Sequence, residues 1–331
     1  MKEKVLVTGG GGFLGKAIVK KLIKKGLFVR SFSRHYYRDL DKLGIEQIQG
    51  SIGNLKQIQS ACKGIDLVFH VAAKPGIFGL WDDFFDVNVL GTKNVVKACI
   101  EHNISRMVYT SSPSVIFDGK DMEGVDETTP YPDKYEGFYP ETKAIAEKIV
   151  IKNSKKNLKT IILRPHLIWG PGDNHVVPGI INRAGKLKKI GRLDDLIDTI
   201  YIDNAADAHI LAAEKLKLNG ELSGRIYFIS QDEPVSKWYM ADNFLKAAGL
   251  EPIKGHISAR TAYMAGIVFE SIYSFLRIKK EPPMTKFAAK ELATSHWFDI
   301  TKAKQELGYN PKVSIEQGLV KLKQWFEENN V

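Results

Sequence analysis

Val5-Leu6-Val7, a short β-branched run, ends at Thr8 and passes straight into Gly9-Gly10-Gly11-Gly12-Phe13-Leu14-Gly15. No other feature restricts the possible fold as tightly. Gly9, Gly12 and Gly15 have G-x-x-G-x-x-G spacing between a predicted buried strand and a predicted helix over 13–25. Phe13, Ala17, Leu22 and Ile23 form the apolar side of that helix, and Gly26 stops it. Glycine allows a tight turn and close backbone approach, and a helix N-terminus offers unpaired N–H groups to an anion. In this setting the spacing marks a dinucleotide pyrophosphate site, with Phe13 and Leu14 beside the glycines.

The same rhythm continues downstream. Strands are predicted over 28–32, 67–71, 106–111 and 160–163, and long helices over 81–102 and 139–153. Alternating strands and helices with short connections predict an α/β, Rossmann-type doubly wound parallel sheet. Beyond Pro165 the pattern changes to a Gly-, Pro- and Lys-rich stretch. Residues 199–203, a helix and a strand over 225–229 then read as a return to the sheet. The expected organisation is a dinucleotide-binding domain over 1–165, with a return segment at 199–232. A smaller, mainly helical substrate cap would comprise 166–198 and 233–331.

Composition narrows the class. Hydrophobic residues make up 44% of the 331 positions and charged ones 26%, as in an ordinary soluble globular protein. Cys62 and Cys99 lie in predicted helices without metal-ligand spacing and fit a reducing compartment. Met1-Lys2-Glu3-Lys4 runs into the first strand, so no leader is expected and the location expected is cytoplasmic. The net charge of +10 raises the question of nucleic acid. The excess, however, lies largely on helix faces, as at Lys20, Lys21, Lys24 and Lys25, without interleaved aromatics, so no nucleic-acid partner is expected. An anionic cofactor or acidic substrate uses that charge better. His166, His175 and His209 lack the spacing of a metal site, and no metal is expected.

The end of the second strand reads Ser33-Arg34, where an acid would select NAD by binding the ribose hydroxyls. A hydroxyl followed by a guanidinium instead suits a 2′-phosphate. NADP(H) is therefore favoured, with NAD(H) still possible if Arg34 only stacks on adenine. Gly50-Ser51-Ile52-Gly53-Asn54 stands where an acid often meets the adenine, and leaves Ser51 as an uncharged partner beside Ile52.

Of the twelve tyrosines, only Tyr139 has a lysine four residues later, Lys143. On a helix the two share a face, and an ammonium there is expected to lower a phenol pKa that is ordinarily ~10. Tyr139 then becomes a candidate proton donor or base. The strand over 106–111 delivers Thr110-Ser111-Ser112-Pro113-Ser114 to the carboxyl edge of the sheet, where ligands bind in such folds.

Joined to the glycine loop, these residues resemble the extended branch of the short-chain dehydrogenase/reductase superfamily. The resemblance implies that Ser112 orients a carbonyl, Tyr139 transfers the proton and Lys143 holds the nicotinamide ribose. His70-Val71-Ala72-Ala73 resembles the family's strand end beside the cofactor, and Asn88-Val89-Leu90-Gly91-Thr92 its helix segment, which implies cofactor contacts for Ala72, Ala73 and Asn88. The run 163–173, with Pro165, resembles the segment lining nicotinamide and substrate in the 3β-hydroxysteroid dehydrogenase-like subgroup. Ala72 to Gly76, Thr110 to Val115, Tyr201 to Ala206 and Glu281 to Phe287 point within it to reductases of long-chain 2-alkyl-3-oxo acids in olefin biosynthesis.

The implied activity is a ketoreductase with a hydrophobic keto or hydroxy substrate, touched by Lys74, Ser114 and Trp169. A sterol dehydrogenase and a nucleotide-sugar epimerase or dehydratase remain alternatives. The apolar stretch 262–276, followed by Arg277, Lys279 and Lys280, reads as a cap helix packed on the core or as a wall for an alkyl chain, with contact to a membrane surface as a further option. Trp169, Tyr263, Phe269 and Phe275 are the expected apolar lining. The resemblance also implies a homodimer through the 81–102 and 139–153 helices, and assembly with other lipid-pathway enzymes.

Overall fold

The computed structural model describes residues 2–154, 158–278 and 280–329, so Met1 and Lys279 lie outside the described residues. Seven strands form the main sheet in the order Arg225–Ile229, Lys159–Pro165, Arg106–Thr110, Leu67–His70, Lys4–Thr8, Phe28–Ser33, Glu46–Gln49. Every neighbouring pair is parallel, so all seven carboxyl ends share one edge. The strand order reverses between Lys4–Thr8 and Leu67–His70, the switch point at which such sheets bind their ligands.

Helices cover both faces, which is why the central strands are continuous apolar runs. Along each strand, alternate side chains enter opposite cores. Val5, Val7, Val108, Ile161 and Leu163 pack with the helices Phe13–Lys24 and Ile202–Leu218. Leu6, Val68, Met107 and Ile162 pack against Leu55–Cys62, Gly91–Glu101 and Phe138–Asn153.

Several details depart from the expected pattern. The helix predicted over 81–102 is Trp81–Phe84 and Gly91–Glu101 joined by a wider π-turn, Phe85–Leu90. Such a turn re-aims a side chain, here Asn88, and is frequent at functional sites. Residues 199–203 do not rejoin the main sheet. Ile200–Tyr201 pairs with Ile168–Trp169, and the helix Ile202–Leu218 begins at once. Only Arg225–Ile229 returns.

Met122–Val125, in which no strand was expected, pairs with His296–Phe298 in a second sheet with Leu196–Ile197 and Val235–Ser236. Its Gly124, at φ 64°, and its four-residue length conceal it from pattern reading. Phe298 stacks on Phe228 at 4.5 Å and so ties this sheet to the last main strand. Among the described residues no helix is long and apolar enough to cross a membrane.

Candidate active site

Tyr139, Lys143 and Glu147 lie at successive turns of the helix Phe138–Asn153, on one face. Pro140 falls in its first turn, where a missing N–H does no harm. Glu147, fully buried, takes a two-pronged bond from Arg164, with Nη2 to Oε1 at 2.6 Å and Nε to Oε2 at 3.1 Å. The Tyr131 hydroxyl donates to the same carboxylate at 2.6 Å. This anchors the helix to the strand Lys159–Pro165.

Above the anchor, the buried Lys143 ammonium donates to the Thr110 carbonyl at 2.7 Å and sits 4.5 Å from the centre of the Tyr109 ring. Burial pulls its pKa down to about 7, against the attraction of Glu147.

The Tyr139 phenol overturns one expectation. Its pKa is raised, not lowered: burial pushes it up, a hydrogen bond from Ser112 pulls it down by less, and the Glu291 charge adds to the rise. Lys143 is directed to the Thr110 carbonyl and does not offset the burial. The phenol therefore keeps its proton at neutral pH, in the form needed to protonate a nascent alkoxide.

Ser112 caps a short 3-10 turn, Pro113–Ile116, and accepts from the Ser114 amide at 3.3 Å. Its hydroxyl also meets the Ser114 hydroxyl at 2.9 Å, so Ser114 braces Ser112 from a buried position. Among the described residues the buried Ser111 hydroxyl has no hydrogen-bond partner.

The cradle for a dinucleotide has the features that group needs. Gly9, at φ +71°, passes so near Ala72 that a Cβ would lie 3.0 Å from its backbone, and a Cβ on Gly15 would meet the Gly9 carbonyl oxygen at 2.1 Å. The helix Phe13–Lys24, with Leu14 in its first turn, starts without a side-chain cap or an acid there, leaving the N–H groups and dipole available to a diphosphate. The Thr8 hydroxyl takes a bond from the Ala72 amide at 3.3 Å and meets His70 Nδ1 at 2.8 Å, locking the loop to the strand end before Ala73. Burial, with the Lys143 charge, holds His70 near pKa 3 and hence neutral.

Ser33 Oγ accepts from the Gly11 amide at 3.2 Å, and Arg34 is exposed without an ion pair among the described residues. Ser51 Oγ accepts from the Gly53 amide at 3.2 Å, while Ile52 packs under Gly91. Pro165 closes its strand at the same edge.

The remaining expected site residues have the following partners. Asn88 is buried with its amide committed: Oδ1 accepts from the Lys74 amide at 2.8 Å, and Nδ2 donates to the Lys74 carbonyl and the Thr142 hydroxyl, each at 3.1 Å. It positions the loop after the fourth strand. The Lys74 ammonium turns outward to Asp83 at 2.7 Å. Trp169, assigned to substrate, is completely buried. Its indole donates to the Thr199 hydroxyl, and its rings pack on Tyr201 and Phe244, so it is core. Phe275, assigned to the lining, is 87% exposed.

Two contributors carried no sequence signal. Asn94 donates to the Ile52 and Gly53 carbonyls at 2.9 and 3.0 Å and fixes the loop after the third strand. Glu291 lies on the cap helix Lys286–Leu292, on the face of Phe287 and Lys290. Phe287 packs edge-on to Phe117, and Lys290 donates to Glu136 at 2.5 Å, so the helix crosses the entry to the Tyr139 helix. Burial pushes the Glu291 carboxyl up to about 7, against the attraction of Lys237. A separate cavity of about 520 Å³, bordered by Arg192, His256 and Thr294, includes none of these residues.

A serine, a protonated tyrosine and a buried lysine beside a glycine-rich dinucleotide cradle define an oxidoreductase site of the extended short-chain dehydrogenase/reductase kind. Residues 6–257 match the 3-beta hydroxysteroid dehydrogenase/isomerase family, to which the chain belongs. It is 48% identical to the 2-alkyl-3-oxoalkanoate reductase of Shewanella oneidensis, over 96% of this chain and 84% of that one. The Stenotrophomonas maltophilia protein of the same name is 43% identical over 97% and 98%. A mouse sterol-4-alpha-carboxylate 3-dehydrogenase, decarboxylating, is 33% identical over 98% and 91%. Among solved structures, gox2253 superposes with a TM-score of 0.80 at 26% identity, covering 99% of each chain. MoeE5 in complex with UDP-glucose and NAD gives 0.75 at 21% over 99% and 100%, a likeness of fold.

Glu291→Gln removes a charge that raises the Tyr139 pKa, so the phenolate forms at lower pH. The alkaline rise in alcohol oxidation should shift to lower pH, because a like charge that disfavours the phenolate is gone. A kcat/KM profile against pH checks this, and an unchanged or upward-shifted midpoint contradicts it.

Proposed function

We propose that this chain reduces the 3-keto group of a long-chain 2-alkyl-3-oxo acid to the 3-hydroxy acid, with NADPH as the hydride source. The observation that carries the reading is the pairing of a protonated Tyr139 with Ser112, in a chain similar over nearly its full length to two 2-alkyl-3-oxoalkanoate reductases. The bound dinucleotide would supply hydride to the carbonyl carbon. The rest falls to the protein: Ser112 donates to the carbonyl oxygen, Tyr139 passes its proton to that oxygen, and Lys143 holds the ribose. The sterol reading rests on the similarity to the mouse enzyme, whose substrate is also apolar and acidic by name.

Tyr139→Phe should lose roughly 10² to 10⁴ in turnover, the usual share of general acid catalysis, while still binding cofactor. The substrate is tested with a panel of 3-oxo acids of increasing length, a 3-oxo steroid and UDP-glucose, with products identified by mass. Efficiency should climb with acyl length, since each buried methylene is worth ~0.8 kcal/mol. A flat profile with good steroid turnover supports the sterol reading instead. Turnover of the sugar nucleotide alone removes both.

The NADPH preference rests on Ser33 and the exposed Arg34 at the end of the second strand. Ser33→Asp sets a carboxylate against the 2′-phosphate and should move the kcat/KM ratio toward NADH. Equal use of both cofactors by the wild type contradicts the assignment.

A homodimer is proposed through the helix pair Gly91–Glu101 and Phe138–Asn153, with Phe85, Leu90 and Phe138 exposed nearby. Light scattering at micromolar concentration should give twice the chain mass; a monomer refutes it.

A further inference from the structure

The cap helix Ala259–Phe275 turns the wrong way for a helix that only packs on a core. Ala262 and Gly266 face inward, and a Cβ on Gly266 would strike the Thr285 backbone at 2.7 Å. The opposite face, at helical spacing, carries Met264, Ile267, Val268, Ile272 and Phe275, all exposed, and Leu276 continues it. Contiguous exposure of this kind marks an interaction surface.

The charges around this face are one-sided. Arg260 precedes Met264 by one turn on the same stripe, and Arg277 and Lys280 follow its end; all three are exposed and without ion pairs among the described residues. Glu270, the helix's one carboxylate, points aside, accepting from the Lys286 amide at 2.8 Å and pairing with its ammonium.

An apolar stripe with cations at both ends is the pattern of a helix lying in a lipid interface. It also disfavours a second copy. Two-fold pairing of this face would set Arg260, Arg277 and Lys280 against their own kind, with no free carboxylate on the stripe to answer them. The face is joined to the site through Tyr273, which packs edge-on to Phe78, 6.2 Å away on the loop after the fourth strand.

We infer that the outer face of Ala259–Phe275 docks on an anionic lipid surface, with the apolar stripe in the interface and Arg260, Arg277 and Lys280 on the headgroups. The inference does not depend on the proposed substrate, since its test reads binding and not turnover.

The full chain is floated with vesicles of phosphatidylcholine, with and without phosphatidylglycerol, at low and high salt. The expected result is binding to the anionic vesicles that weakens with salt. Val268→Asp with Phe275→Asp should reduce it by roughly tenfold or more, through lost insertion and added repulsion. Arg260→Glu with Arg277→Glu should abolish the preference for anionic lipid. Both variants should turn over a short, water-soluble 3-oxo substrate, or bind cofactor if that substrate is not used, as the wild type does. Wild-type protein remaining below the vesicles, or variants floating equally well, overturns the inference. So does light scattering in which the aspartate variant loses an association that the wild type has, because the occupant is then a second copy.

Discussion

The buried pair of Glu147 and Arg164 sets the height of everything on the catalytic helix. Two charges without solvent need good mutual geometry and further hydrogen bonds, and such a pair adds little net stability. Loss of either partner, however, leaves a bare charge in the core. Glu147 takes three bonds, two from Arg164 and one from Tyr131; among the described residues Arg164 Nη1 has no hydrogen-bond partner, and the guanidinium lies over the Tyr131 and Phe228 rings. One turn above it stands Lys143, and one turn further Tyr139. A helix free to slide or rotate by a residue would take both away from Thr110 and Ser112. The pair is best understood as a register pin for the chemistry.

Desolvation then does most of the tuning. Burial lowers Lys143 to about 7, lowers His70 to about 3 and raises Tyr139. Each shift favours the neutral form. For tyrosine and histidine this yields a phenol that holds its proton and an imidazole that adds no competing charge near the cradle. For lysine it yields an ammonium that titrates near neutrality, held by a carbonyl and an aromatic face more than by an opposite charge. Glu291 acts in the same direction on Tyr139 from the cap side. The acid–base balance of the site is therefore shared by two parts of the molecule distant in sequence.

What was legible in the sequence follows from which contacts are local. The glycine loop needs only its own strand and helix, and the Tyr139–Lys143 spacing only one helix, so both could be read directly. The parallel sheet followed from the alternation of short apolar runs. Long-range contacts were hidden. The Tyr139 pKa was expected to fall because the sequence displays Lys143 beside it but not the burial that pushes the phenol up. Trp169 read as a substrate wall because an aromatic after a strand end gives no sign of Tyr201, Phe244 and Thr199 closing around it. Asn94 and Glu291 are isolated polar residues in ordinary helices, and their roles exist only once the loop at Ile52 and the cap have folded against them.

The withdrawal of Trp169 and Phe275 from the expected lining changes where specificity has to lie. One points into the core and the other into solvent, so neither can report on the substrate. A part of the cap that does reach the chemistry is a short helix, Lys286–Leu292, with Phe287 packed on Phe117 beyond the serine loop and Lys290 bonded to Glu136. Its Glu291 brings a carboxyl toward the tyrosine. For an acidic substrate that carboxyl is a liability when ionised and a hydrogen-bond donor when protonated, and its pKa of about 7 puts both forms within reach near neutral pH. This helix therefore couples the charge state of the cap to the acid–base chemistry of Tyr139. The fold itself does not choose a substrate, so the residues that enclose the sheet edge have to.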